Sequence, residues 1–237
     1  MNELSELRYL QQRDRIETYF DRTAAQTWAR LTSTAPVSGI RATVRAGRDQ
    51  MRQTLLDWLP RDLTGKRVLD AGCGTGALSV ELAKRGAQVL AIDLSPTLVA
   101  LARERALGQH RHGTIDFRAG DMFDSQLGEF DVVVAMDSLI HYQPREVIRI
   151  LSGFAARSHQ SILFTFPPKN LFLSAMMTAG RLFPRKDRAP FIVPMAYSKL
   201  CQMIQKTNSL SDFQVDKTEK ISSGFYTSQA IALVRSV

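Results

Sequence analysis

From Lys66 onward, short apolar runs alternate with longer segments in which apolar residues return every three or four positions. The runs are RVLDA (67–71), QVLAI (88–92), TIDFR (114–118), DVVVAM (131–136) and SILFTF (161–166), and segments 77–85, 96–107 and 144–157 lie between them. Runs of this length read as strands of a parallel sheet, and the intervening segments as the helices that cover it. Residues 3–59 read as helical. At the other end, FQVDKTEKI and YTSQAIALVRS read as two strands joined by a Ser/Gly turn, an antiparallel edge that closes the sheet. The pattern predicts an α/β fold with N-terminal helices over residues 1–60 and one sheet domain over 61–237.

The first strand runs into a turn of alternating glycines, VLDAGCGTG (68–76), and the second ends in Asp93, seventeen residues beyond the last glycine. Gly72, Gly74 and Gly76 permit positive φ and close backbone approach, and a helix beginning near Ala77 aims free N–H groups back into the gap. A carboxylate at the tip of the second strand of a doubly wound sheet accepts hydrogen bonds from ribose hydroxyls. The spacing GxGxG, with Asp70 before it, differs from the dinucleotide GxGxxG and matches S-adenosylmethionine-dependent methyltransferases of Rossmann-like fold. Such a fold is a seven-stranded doubly wound sheet with an antiparallel last strand. The ligand then has an ammonium for Asp70 and a carboxylate for backbone N–H groups. Cys73 and Leu94 lie in the same two turns. GDMF (120–123) puts Asp121 and Met122 in reach of an adenine, and Met136 ends the fourth strand.

Composition narrows the acceptor. The chain has 237 residues, 44% of them hydrophobic, so a sizeable core is expected. It has no apolar stretch of about 18 residues, and its charged N-terminus has no signal-peptide core, which predicts a cytoplasmic protein. Cys73 and Cys201 form neither a metal-ligand spacing nor a disulfide framework. A net charge of +8 asks for an acidic partner. Arg41, Arg45, Arg48 and Arg52 form one helical stripe, with Ile40, Val44, Met51, Leu55 and Trp58 forming an apolar stripe a quarter-turn away. The basic stripe is either an anion-facing wall or a solvated face.

The segment from Pro167 to about residue 198 does not fit the plain core: it starts apolar and ends Pro-rich and basic. Inserted beyond the carboxyl ends of the strands, it would form a lid in which Arg181, Arg185, Lys186 and Arg188 meet a flat apolar ligand with acidic edges. A membrane-surface helix and a dimer contact are the other readings. The fourth strand runs into Met136, Asp137 and Ser138, not the (N/D)PP(Y/F) of nucleobase amino methylases, and neither cysteine has the Pro-Cys context of cytosine methylation. A nucleic-acid acceptor is therefore not expected; another small molecule or an RNA remains the alternative acceptor.

VRAGRDQMRQTLLDWL (44–59), the glycine segment 68–89, SLIHY (138–142), LFTFPPKN (163–170), LFPRKDRAP (182–190) and SGFYTSQ (223–229) together resemble the magnesium-protoporphyrin IX O-methyltransferase family. The resemblance implies methyl transfer from S-adenosylmethionine to a propionate of Mg-protoporphyrin IX, leaving S-adenosylhomocysteine, in (bacterio)chlorophyll synthesis. It also implies a magnesium chelatase porphyrin-binding subunit as the partner that hands over substrate, and peripheral contact with the inner or photosynthetic membrane. The magnesium then belongs to the substrate. His141, just past the fourth strand, is the expected catalytic residue, holding one propionate oxygen while the other attacks. Where the family reads WxxIY, this chain has Trp28 to Thr32, with Thr32 in place of the tyrosine; Tyr19 or Tyr226 would supply a phenol from elsewhere.

Overall fold

The computed structural model describes residues 3–24, 32, 39–109, 112–169 and 191–236. Seven strands form one sheet: β1 Arg67–Ala71, β2 Gln88–Asp93, β3 Thr114–Ala119, β4 Phe130–Ala135, β5 Ser158–Phe166, β6 Phe213–Ser223 and β7 Tyr226–Arg235. Their order is β3-β2-β1-β4-β5-β7-β6, parallel from β3 to β5, with β7 antiparallel between β5 and β6. Helices α1 Glu3–Thr18, α2 Gly39–Asp57, α3 Ala77–Lys84, α4 Pro96–Ala106, α5 Pro144–Ala155 and α6 Tyr197–Gln205 cover both faces.

The strand runs read as continuously apolar because their alternate residues enter two separate cores. Leu69, Leu90, Ile92, Val133, Ile162 and Phe164 point to the face covered by α1, α5 and α6. Val68, Val89, Ala91, Val132, Val134 and Leu163 point to the opposite face, under α2, α3 and α4. Residue-by-residue alternation across a sheet buried on both sides accounts for this split. Helix starts follow local chemistry: Pro96 opens α4 behind Ser95, whose hydroxyl accepts Leu98 N–H at 3.2 Å. Gln143 N–H donates to Glu146 at 2.8 Å ahead of Pro144 in α5.

Several expected boundaries move. Among the described residues the N-terminal helical stretch holds α1, which continues through a π-helical turn, Tyr19–Ala24, and α2 from Gly39. Strand β5 begins at Ser158, three residues before the apolar run, because Ser158 pairs with Phe130 across an irregularity in the register. Met51 and Leu55 of the apolar stripe are fully buried, whereas Ile40, in the first turn of α2, is 58% exposed.

Helix α2 lies close against the closing hairpin. A Cβ at Gly47 would stand 2.5 Å from Cδ1 of Tyr226, so the phenol ring occupies the space a side chain would need. We expect Gly47→Ala to destabilise the fold. Helix propensity favours alanine by about 1 kcal/mol, but overpacking against a buried ring costs roughly 1–3 kcal/mol. A net loss of about 1 kcal/mol would lower the melting temperature by about 2–4 °C in a calorimetric scan; a rise would show that the ring yields freely.

Candidate active site

Strand order reverses between β1 and β4, and a cavity of about 340 Å³ opens there beyond their carboxyl ends. Its floor is the glycine turn. Gly72 has φ 85°, and a Cβ on it would collide with that of Ser138, so the loops after β1 and β4 can meet only over a glycine. Gly72 and Cys73 donate their N–H groups to the Ile92 carbonyl at 2.8 and 3.0 Å, and Gly74 N–H donates to Asp93 Oδ2 at 2.8 Å. Ser95 N–H takes the other Asp93 oxygen at 3.0 Å. Helix α3 leaves Gly76 with no side chain capping its first turn, so its positive end faces this floor.

Asp70, 1% exposed, sits beneath the turn with Ser79 Oγ donating to it at 2.6 Å. Burial pushes its carboxyl up to about 7, and the neighbouring Asp93 adds to the rise. Asp93 is also raised, burial outweighing the N–H groups of Ser95, Gly74 and Leu94. Among the described residues no cation features in the groups that act on either one. Two carboxylates in that condition favour a cationic ligand. Burial and the same two aspartates push the Cys73 thiol well up, which suits a wall residue and not a nucleophile.

Asp121 Oδ1 accepts from the Tyr9 hydroxyl at 2.7 Å and from Phe123 N–H at 2.8 Å, and Arg13 approaches Oδ2 at 3.4 Å. Leu94, Met122 and Met136 line the same space. Gly76 does not: the place of its Cβ is taken by the Phe117 ring, and it serves helix–strand packing. Helix α1 crosses the cavity with Ile16 and Phe20 facing in, Gln12 donating to the His141 carbonyl at 3.0 Å, and Asp21 accepting from Ser95 Oγ and Thr97 N–H at 3.0 and 3.1 Å. Tyr19, one of the two residues expected to supply a phenol, stands edge-on to Phe20.

His141 is 7% exposed and lines the cavity. Its Nδ1 lies 3.3 Å from the Phe191 carbonyl, which can only accept, so Nδ1 carries a hydrogen. Tyr142 is buried and stacks on Tyr9 at 5.8 Å. Thr32, at the position of the family tyrosine, lines the cavity and accepts from Arg105 at 2.9 Å.

The α2 wall carries part of the basic stripe that the sequence left open between an anion-facing wall and a solvated face. Arg45, Arg48 and Arg52 of α2 line the cavity, while Arg41 is exposed and lies outside it. Arg48 pairs with Asp137 at 2.7 Å; Asp137 has φ 54° and takes further hydrogen bonds from Thr165, Tyr226 and Ser228. The Tyr226 phenol is thus engaged behind the wall. Ser138 also lines the cavity, and its Oγ is buried with no hydrogen-bond partner. The stripe of arginines was the one signal for this wall; nothing local marks Asp137 or Ser138.

Arg181, Arg185, Lys186 and Arg188 lie outside the described residues. The flanks of the insertion are paired, Lys169 N–H to the Met195 carbonyl at 2.8 Å and Met195 N–H to Pro167 at 2.9 Å, so it leaves and rejoins the fold beside His141. At that mouth Phe191 and Ile192 are 51% and 39% exposed. Among the described residues no cluster of His, Cys, Asp and Glu suits a metal ion, and no helix is long and apolar enough to cross a membrane.

Residues 135–235 match the family described as magnesium-protoporphyrin IX methyltransferase C-terminus, and residues 68–157 match a general methyltransferase domain. A magnesium-protoporphyrin O-methyltransferase of Rhodobacter capsulatus is 48% identical over 94% of this chain and 96% of its own length. One from Synechocystis sp. is 32% identical over 93% and 95%. A crystal structure of magnesium protoporphyrin IX methyltransferase from Synechocystis PCC 6803 with bound SAH superposes with a TM-score of 0.80 at 28% identity, covering 93% of this chain and 98% of that one.

The buried Asp70 makes a prediction of its own. In the unfolded chain it ionises near 3.8, in the ligand-free fold near 7. The fold therefore binds the extra proton between those values, and the stability this confers is complete below about pH 4 and lost as pH rises through about 7. Asp70→Asn should raise the melting temperature of the ligand-free protein at pH 8 by several degrees, from a gain of a few kcal/mol. The gain should shrink towards pH 4. Melting curves of the two proteins that differ by the same amount at every pH would refute it.

Proposed function

The chain belongs to the magnesium-protoporphyrin IX methyltransferase family, and we propose that it transfers the methyl group of S-adenosylmethionine to one propionate carboxylate of Mg-protoporphyrin IX, giving the monomethyl ester on the route to (bacterio)chlorophyll. The observation that carries this reading is the division of charge in one cavity, aspartates at the glycine turn and arginines on the α2 wall.

S-adenosylmethionine supplies a methyl group on a positively charged sulfur. Asp70 would take the ammonium of its amino-acid end, the N-terminus of α3 its carboxylate, and Asp93 beside Leu94 its ribose, while Gly72, Cys73 and Gly74, whose N–H groups are held by Ile92 and Asp93, would shape the floor beneath it. Asp121, Met122 and Met136 would frame the adenosyl group. A propionate has an ordinary pKa of about 4.3, so it is ionised at neutral pH and no base is required. One of its oxygens forms the new C–O bond as the C–S bond breaks, and the electron pair returns to sulfur; no proton moves. What the residues contribute is placement within about 3 Å and the exclusion of water, which stabilises separated charges more than a transition state in which they cancel. His141, which lines the cavity, would hold the second oxygen.

The macrocycle needs more room than the cavity offers, so it would rest at the mouth, where Phe191 and Ile192 are exposed. Arg181, Arg185, Lys186 and Arg188 of the insertion would cover its acidic edges, a role supported by the sequence alone. The family resemblance supports delivery by a magnesium chelatase subunit, and the net charge of +8 supports contact with an anionic membrane surface.

With label in the donor methyl group, ester-linked label should enter Mg-protoporphyrin IX and neither metal-free protoporphyrin nor bulk RNA to a comparable extent. His141→Ala should lose well over tenfold in kcat/KM, more than about 1.4 kcal/mol. No label in any porphyrin despite cofactor binding would discard the acceptor. Affinity for S-adenosylmethionine should weaken about tenfold from pH 8 to pH 6 as Asp70 takes up its proton. Asp70→Asn should flatten that dependence in a calorimetric titration; an equally steep profile in the variant would assign the proton elsewhere.

A further inference from the structure

The α2 wall of the cavity is built with more care than a surface ion pair requires. Arg48 donates to Asp137 Oδ2 at 2.7 Å. That carboxylate also accepts from Thr165 Oγ1 at 3.1 Å, the Tyr226 hydroxyl at 3.1 and 3.2 Å, and Ser228 Oγ at 3.3 Å. Asp137 N–H donates to the same Thr165 oxygen at 2.7 Å, which pins the backbone in its left-handed conformation. Asp137 is thus immobilised from β5 and β7 and aims Arg48 into the cavity. Tyr226 acts twice, since its ring also fills the space beside Gly47, one residue before Arg48.

The next residue, Ser138, carries the second observation. The residue lines the cavity, and its hydroxyl is buried with no hydrogen-bond partner. Buried hydroxyls are nearly always satisfied, so an orphan on a residue that borders a ligand cavity points to an acceptor atom on the ligand. Ser138 stands directly over Gly72, at the boundary between the glycine turn and the arginine wall.

We propose that Arg48, positioned by Asp137, and the Ser138 hydroxyl form the seat of the carboxylate that is methylated, with Arg45 and Arg52 on the same helical face serving the second carboxylate of the acceptor. This rests on the porphyrin reading above and moves carboxylate recognition from the insertion to α2. A guanidinium suits the task because its planar fork matches a carboxylate and stays charged at any working pH. The helix rise sets Arg45 and Arg52 about 4.5 and 6 Å along the axis from Arg48, a spacing for a ligand with two separate acidic arms.

The test is a Soret-band titration of wild type, Arg48→Ala, Ser138→Ala and Asp137→Asn with Mg-protoporphyrin IX and with its dimethyl ester, in which both carboxylates are masked. S-adenosylhomocysteine affinity and the melting temperature serve as controls. Arg48→Ala should bind the dicarboxylate at least tenfold more weakly while the diester and S-adenosylhomocysteine stay within twofold. Asp137→Asn should show the same selectivity at smaller size. Ser138→Ala should weaken the dicarboxylate several-fold with a melting temperature unchanged or higher, because it removes an unsatisfied hydroxyl. Equal losses for both porphyrins, or no loss, in Arg48→Ala would overturn the seat. If that variant fails to bind S-adenosylhomocysteine, Ser138→Ala decides: unchanged dicarboxylate affinity, or a loss confined to S-adenosylhomocysteine, overturns it. A wild type that binds neither porphyrin would overturn the porphyrin reading itself, and the seat with it.

Discussion

The reversal of strand order between β1 and β4 governs the rest of the molecule. Chains entering β1 and β4 leave in opposite directions to reach their helices, so the backbone cannot fill the space above the two strand ends. Everything with chemistry to perform is gathered around that gap: the glycine turn after β1, Asp93 after β2, Asp121 after β3, and the stretch from Met136 to Tyr142 after β4. The gap is held to its shape by backbone bonds, Gly72 and Cys73 to Ile92 and Gly74 to Asp93, so the floor is as rigid as the sheet it continues.

Within the gap, charge is sorted. Asp70 and Asp93 lie under and beside the glycine turn, both raised by burial, and the arginines of α2 face them across the cavity. The buried carboxylates are costly without a cationic ligand, and on the α2 wall Arg48 is paired with Asp137 and Arg52 with Asp49. A cationic methyl donor at one end would relieve the first, and a carboxylate acceptor at the other would bring together the two charges that methyl transfer cancels. Binding and catalysis then draw on the same electrostatic arrangement, with water exclusion strengthening it.

Helix α1 ties the N-terminal segment to this chemistry. Tyr9 reaches Asp121, Gln12 reaches the His141 carbonyl and Asp21 caps the start of α4 through Ser95 and Thr97. The helix is therefore a wall of the site, held by polar contacts to residues that border the ligand space and by the burial of Tyr9 and Ile16.

Much of this was legible in the chain. Apolar runs whose alternate residues enter two cores specified the parallel sheet, because burial on both sides confines polar residues to positions at or next to the ends of β1, β2 and β4. GxGxG, Asp70 and Asp93 marked the cofactor end because tight turns and strand ends are local features, set by residues within a few positions of one another. Gly76 misled: its spacing belonged to the motif, yet its role is to admit the Phe117 ring. The arginine wall was legible only as a basic stripe, with its facing left open. Arg48 meets Asp137 across 89 positions, Asp137 meets Tyr226 and Ser228 across 89 and 91, and Ser138 became an orphan only when β4 closed over Gly72. The sequence by itself determined the fold and the cofactor turn, whose causes are short-range; only the tertiary structure decided which arginines face the cavity and what holds them, because those contacts exist only after distant segments pack.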